Sequence, residues 1–186
     1  MITARLDGQT PSFIYVRGAA HSANSMYAAY SLGRAAVVFG MVVNPHTDYH
    51  EVIAGSVMRV AHPHGSTLFA LTAADASDAW YLQLYVVPSL TFGRASLGGT
   101  LELYQPLERA GTYDLDVNPI NALVRIVPGV NVGASYKTGF APHAVRKQAA
   151  GLMVQASIPR GGITLEWLAG LAHAGGDVRA SLNAAF

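Results

Sequence analysis

The side chains best suited to chemistry in this sequence are its histidines and carboxylates. His21, His46, His50, His143 and His173 fall in polar stretches, together with Asp48, Asp75, Asp78 and Asp177. Imidazole with carboxylate is metal-ligand chemistry, and His46, His50 and His173 are the weak metal candidates. Their spacing matches no ligand motif, and solvated loop histidines are the plainer reading. Such a group would gain positive charge below about pH 6.5. A hydrolase needs a nucleophile beside a base. His64-Gly65-Ser66 is the nearest Ser–His spacing, but it reads as a tight turn. Asp48 with His50, or His173 with Asp177, could imitate an acid–base dyad, and neither carries a recognisable motif. No catalytic residue is assigned, and no cofactor is implied: the glycines fall in turns or among small polar residues, not in a phosphate-binding loop. With no cysteine, the chain has no disulfide and no thiol nucleophile.

Composition narrows the class. Lys+Arg is 12 and Asp+Glu 11, giving a net charge of +1, which lacks the basic excess of a nucleic-acid binder. Charged residues make up 12% and hydrophobic residues 51% of the 186, whereas about 25% charged is usual for a soluble domain. Mean hydropathy is +0.28. The longest apolar runs, such as AAVVFGMVV at 35–43, fall short of the ~18 residues of a membrane-spanning helix. An apolar soluble β-protein and a barrel with lipid outside both remain open. The opening MITARLDGQT lacks the apolar core of a signal peptide, so an exported form is expected to be the mature one.

The elements that must position these groups are strands, because the dominant period is two. At 79–92, Trp80, Leu82, Leu84, Val86, Pro88, Leu90 and Phe92 alternate with Tyr81, Gln83, Tyr85, Val87, Ser89 and Thr91. Successive strand side chains point to opposite faces, so one face is apolar and the other polar or tyrosine-rich. The pattern recurs at 95–104, 130–137, 150–158, 163–171 and 178–186. Tight turns are expected at Gly33-Arg34, Pro63-His64-Gly65, Gly93-Arg94, Pro128-Gly129 and Arg160-Gly161-Gly162. Polar connections of about four to six residues lie between them. The count is twelve strands, with ten as the alternative because the first five are less clearly patterned. The apolar phase slips after Val117, which predicts a β-bulge near Asn118-Pro119. Pro88 has no N–H and predicts a gap in its ladder.

Charge and aromatic placement decide which face is outside. Lys and Glu are sparse on both faces, unlike a soluble surface. The polar faces hold Gly, Ser, Thr, Asn, Gln and Tyr with a few charges of mixed sign, as a confined hydrated interior would. Tyr30, Trp80, Phe92, Phe140 and Phe186 fall near strand ends on apolar faces, where interfacial aromatic girdles lie. The C-terminal DVRASLNAAF ends on an aromatic, with Val178, Ala180, Leu182 and Ala184 alternating behind Phe186. This stretch resembles the C-terminal β-signal of bacterial outer-membrane β-barrel proteins, and the hairpins around it resemble a small outer-membrane barrel. The resemblance implies an all-β, antiparallel up-and-down transmembrane β-barrel in the bacterial outer membrane. It spans 11–186, with 1–10 as an N-terminal periplasmic segment. It also implies that Val178, Leu182 and Phe186 are read by the barrel-assembly machinery. The lipid bilayer is the expected partner, with a homo-oligomer or envelope protein as further partners and no nucleic acid. A soluble barrel is the alternative.

Twelve strands about 4.8 Å apart and tilted ~40° give a backbone radius of about 12 Å. Side chains reduce the lumen to about 10 Å, wide enough for water and small solutes. The residues expected to line it are Arg17, Arg59, Tyr81, Gln83, Tyr85, Glu102, Tyr104, Arg125, Lys137, Glu166 and Arg179, with Asp114 and Asp116. These charges either set up a crossed field that selects small polar solutes, or pair into a salt-bridge network that fills the barrel. Tyr81, Tyr85 and Tyr104 either form a stacking wall or fill volume. The function expected is a small passive, porin-like channel for small polar solutes. A structural or complex-forming barrel without transport is the second reading, and an outer-membrane hydrolase the third.

Overall fold

The computed structural model describes residues 9–109, 111, 113–140, 146–172 and 174–186. Twelve strands follow one another: β1 Phe13–Ala19, β2 Asn24–Ser31, β3 Ala35–Val43, β4 His50–His62, β5 Gly65–Ala76 and β6 Trp80–Phe92, then β7 Ala95–Pro106, β8 Asp114–Val127, β9 Val130–Phe140, β10 Lys147–Ile158, β11 Gly161–Ala172 and β12 Asp177–Ala185. Each pairs antiparallel with its neighbours in sequence, and β1 pairs with β12, so the sheet closes into a barrel. The count is the twelve that the hairpin pattern predicts. No helix among the described residues is long and apolar enough to cross a membrane. In a closed barrel every ladder finds a partner, which is the condition for strands in hydrocarbon.

The closing seam runs from Phe13↔Ala185 to Ala19↔Arg179. Ala20 N–H donates to Val178 O at 2.9 Å and Phe186 N–H to Ser12 O at 2.9 Å, extending the seam past both strand ends. Asp177 fastens it at the loop end, accepting from Ser22 Oγ at 2.5 Å and His21 N–H at 3.0 Å.

Five tight turns lie at one end, called here the turn end, and the longer connections at the other, the loop end. Gly33, Gly93 and Gly129 have φ of 96°, 62° and 80°, a region open to glycine at no steric cost. Arg160 takes φ of 59° in the β10–β11 turn. The predicted bulge is present: the β8–β9 register shifts between Val117 and Ile120, opposite a β7–β8 shift between Gly98 and Thr100. The β6–β7 ladder stops at Val86↔Leu101 and resumes at Ser89↔Gly98, which places the proline-induced gap at Val87 and Pro88.

The apolar faces point outward. Leu82, Leu84 and Leu101 are exposed, as are Phe39, Val52, Leu71, Leu152, Leu165 and Trp167. A water-soluble barrel would turn these side chains inward. Tyr30, Phe92 and Phe186 sit outside near the turn end, and Trp80, Tyr113 and Phe140 outside near the loop end. The two groups are separated along the barrel as interfacial girdles are.

The inward faces are less uniformly polar than the sequence suggests. Ala29, Ala36, Val38 and Val57 form one buried cluster, packed against Phe13 and Leu68. Val42, Ile53 and Ala74 form another with Tyr81. Apolar side chains thus line the β2–β5 arc of the interior.

Close approach of neighbouring backbones fixes some glycines. A Cβ on Gly133 would stand 1.8 Å from Ala122 O, whereas one on Gly98 would meet nothing nearer than Pro88 O at 3.5 Å. Relieving such an overlap costs about 1–3 kcal/mol. Gly133→Ala is therefore expected to lower the temperature at which the folded, heat-modifiable gel band is lost, and Gly98→Ala to leave it unchanged. Equal behaviour of the two variants would contradict this packing.

Candidate functional site

The barrel encloses a cavity of 1260 Å³. Its lining includes Ser22, Asp78 and Gly176 at the loop end and Phe13, Ser66 and Arg160 at the turn end, so one space reaches along the whole barrel. A second cavity of 180 Å³ lies against β7–β12, lined by Asn121, Met153, Thr164 and Glu166 among others. Tyr15, Arg17, Thr100, Glu102, Lys137 and Arg179 line both. β1 and β7 stand six places apart in the ring of twelve, so Arg17 and Glu102 reach inward from opposed walls.

The residues that sequence spacing placed inside are distributed as follows. Arg17, Arg59, Tyr81, Tyr85, Glu102, Tyr104, Lys137 and Arg179 line the large cavity, as do Asp114 and Asp116. Glu166 lines the small one. Gln83 is buried, 1% exposed, and its amide donates to Glu51 Oε1. Arg125 lines neither cavity; it is exposed beside the β8–β9 turn.

Two networks occupy opposite arcs. On β9, β11 and β12, Lys137 Nζ lies 2.7 Å from Glu166 Oε2, and Arg179 NH1 3.9 Å from the same oxygen. Ser135 Oγ donates to Glu166 Oε1 at 2.5 Å, and Arg179 Nε donates to Asp177 Oδ2 at 2.7 Å. Arg17, on adjacent β1, donates to Ala23 O through Nη2 at 3.4 Å, and its buried Nε has no acceptor among the described residues. Three cations thus share one arc with Glu166 and Asp177.

On the opposite arc, Glu51 accepts from Gln83 and from Tyr49 Oη at 3.0 Å. Thr72 Oγ1 and Tyr85 Oη donate to Gln83 Oε1 at 3.0 and 2.9 Å. Tyr104 Oη donates to Glu102 Oε2 at 2.9 Å, and Tyr81 Oη to Asp78 Oδ2 at 2.8 Å. Tyr104 meets Tyr85 and Tyr81 edge-on, with ring centroids 6.2 and 6.5 Å apart. Glu102 and Asp116 are register partners. A Cβ on Gly139 would lie 2.6 Å from Asp116 Oδ1, so the bare glycine leaves room for that carboxylate. Among the described residues, Glu51, Glu102, Asp114 and Asp116 make no salt bridge. Tyr49, in the β3–β4 connection, has its phenol pKa pushed up by burial and by Glu51, and so stays a donor.

The charges are therefore sorted by wall rather than paired across the lumen. The salt-bridge reading holds locally, around Glu166 and Asp177. Arg17 is the cation of that arc with no salt bridge among the described residues, and it faces Glu102 on β7 across the remaining space.

Glu51 is the interior acid that alternation missed. Its inward partners along β4 include Ile53 and Val57, while Val52 and Ala54 face outward. Both faces of β4 are apolar, so period two gave no contrast there. The Val-rich β3 has the same ambiguity.

Among the described residues the histidines do not assemble a site. His46 Nε2 lies 2.8 Å from Ala20 O, and His50 Nδ1 3.3 Å from the main-chain oxygen of Asp48 rather than its carboxylate. His64 packs on Phe92, with centroids 4.9 Å apart. Among the described residues no group of three His, Asp or Glu side chains could hold a metal. His143 and His173 lie outside the described residues. Val178, Leu182 and Phe186, the residues of the predicted assembly signal, are exposed on the outer face of β12 and just after it.

No family model and no curated protein matches the chain. Its fold is similar to that of solved outer-membrane barrels. The KdgM porin superposes with a TM-score of 0.59 at 6% identity, over 95% of this chain and 99% of that one. The NanC porin gives 0.56 at 10% identity, over 94% and 98%. Omp33 of Acinetobacter baumannii gives 0.50 at 10% identity, over 96% and 99%. In fold, the chain is a closed twelve-stranded barrel similar to these small outer-membrane porins.

Removing one member of a buried ion network leaves the others uncompensated, at a cost of about 3 kcal/mol. Glu166→Ala strands Lys137, whereas Glu102→Ala breaks no salt bridge. Loss of the folded gel band on heating is expected at a lower temperature for Glu166→Ala than for Glu102→Ala. The reverse order would remove Glu166 from its structural role.

Proposed function

We propose that the chain is a passive channel of the bacterial outer membrane for small polar solutes. The observation that carries this reading is the 1260 Å³ cavity lined from loop end to turn end. A barrel filled by side chains would instead hold isolated pockets. Its outer face is apolar and girdled, as residence in a bilayer requires. The fold shared with KdgM, NanC and Omp33 supports a channel over an enzyme and an outer-membrane location.

Selection would arise where Arg17, which makes no salt bridge among the described residues, faces Glu102 across the lumen, with Asp116 beside Glu102. A lumen about 10 Å wide is about one Debye length at 0.1 M salt, so the field of each wall reaches the other. A solute with separated partial charges aligns in such a field, while an apolar one gains nothing for the water it sheds. In the same reading the outward Val178, Leu182 and Phe186 act as the signal for barrel assembly.

Planar-bilayer recording tests the reading. Purified, detergent-dispersed protein is expected to give steady ohmic steps in 1 M KCl. Glu102→Gln with Asp116→Asn should move the reversal potential in a KCl gradient toward anion preference. Silence in every insertion would contradict the channel, and an unmoved reversal potential would remove these acids from the permeation path.

A further inference from the structure

The same charges are also sorted along the barrel axis. Among the described residues, the arginines near the turn end are Arg34, Arg94 and Arg160, in tight turns, and Arg59 and Arg125, near the ends of the strands that lead into them. All five are exposed, and none makes a salt bridge among the described residues. Among the described residues no Asp or Glu lies in or beside any of these turns. Arg59 and Arg160 line the cavity itself at that end.

The loop end is of mixed sign, with acids in excess. Asp48, Glu51, Asp75, Asp78, Glu108, Asp114, Asp116 and Asp177 gather there, against Arg17, Arg109, Lys137, Arg146, Lys147 and Arg179 among the described residues, an excess of two acids. Arg146 is occupied over the Phe140 ring, 4.5 Å from its centroid, and by Thr138. Asp78, Asp114 and Asp177 line the same cavity as Arg59 and Arg160. Among the described residues, one space therefore runs from a mouth with an acidic excess to a basic one.

We infer that this axial polarity makes the pore a rectifier, carrying more current when the loop side is positive than when it is negative. The inference rests on the channel reading above. Fixed charge at a mouth enriches the counter-ion there: cations at the loop end, anions at the turn end. With the loop side positive, the field drives both enriched populations into the lumen, cations from one mouth and anions from the other. Their currents add. Reversing the voltage draws both populations out and depletes the lumen. The permeant class that gains is small ions and singly charged polar solutes: cations entering from the loop side and anions entering from the turn side.

Screening sets the scale. The Debye length is about 10 Å at 0.1 M salt and about 3 Å at 1 M, against a lumen of about 10 Å. Rectification is expected to be strong in the first case and nearly absent in the second.

The test is the current–voltage relation of single insertions of the full chain in symmetric KCl. Orientation is assigned with Thr47→Cys, on the exposed β3–β4 connection, and an impermeant thiol reagent added to one side. The protein has no other cysteine. In 0.1 M KCl the current with the loop side positive is expected to exceed that at the opposite voltage by about twofold, with a ratio near one in 1 M KCl. Replacing the five turn-end arginines by serine should bring the 0.1 M ratio close to one. Replacing them by lysine should keep it, because charge and not shape is responsible. A linear relation at 0.1 M, or a larger current with the loop side negative, overturns the inference while leaving the channel standing. Absence of any conductance overturns both.

Discussion

Ring closure is the constraint from which the other features follow. A strand in hydrocarbon must spend all its N–H and C=O groups on neighbours, and the last strand has only the first to pair with. The β1–β12 ladder meets that demand over seven residue pairs from Phe13 to Ala19. Asp177 holds the loop end of the seam through Ser22 and the His21 N–H. Once the ring is closed, each side chain has two choices, outward or inward, and alternation assigns them. An outward Leu82 and an inward Gln83 are consequences of the same ladder.

The interior then has to accommodate charge without water in excess. It does so in two ways. Glu166 and Asp177 neutralise Lys137 and Arg179 directly. The acids on β4 and β7 are instead satisfied by neutral donors: Gln83 and Tyr49 on Glu51, Tyr104 on Glu102. A carboxylate held by a phenol keeps its charge available to the lumen, whereas one held by an arginine does not. That difference in partners leaves the two walls with opposite character. The tyrosines act here as donors and edge-packed fillers, while apolar side chains fill the β2–β5 arc.

Much of this was legible in the residues. β6 reads as a strand from Trp80 to Phe92 because its two faces differ in chemistry at every step. The bulge at Val117–Ile120 was readable because a slip of phase has no other repair in a sheet with one apolar face. The turns were marked by glycine. What alternation could not supply was the inward side of β3 and β4, where Val38, Ile53 and Val57 face a partly apolar interior and match the lipid side in kind. Glu51 was hidden for that reason. Nor could spacing show that the charges divide between walls, since that depends on which strands the closed ring sets opposite each other. Arg125 has the right parity for the lumen but lines neither cavity.

The central claim is the direction of the two faces, and site-directed spin labelling in liposomes tests it most directly. With no native cysteine, single labels can be placed in turn at Leu82, Leu84, Tyr85, Leu101 and Glu102. Power saturation should show the labels at Leu82, Leu84 and Leu101 accessible to oxygen dissolved in the bilayer. Those at Tyr85 and Glu102 should be accessible to a water-soluble nickel chelate. The opposite assignment, or no alternation along β6 and β7, would contradict the account.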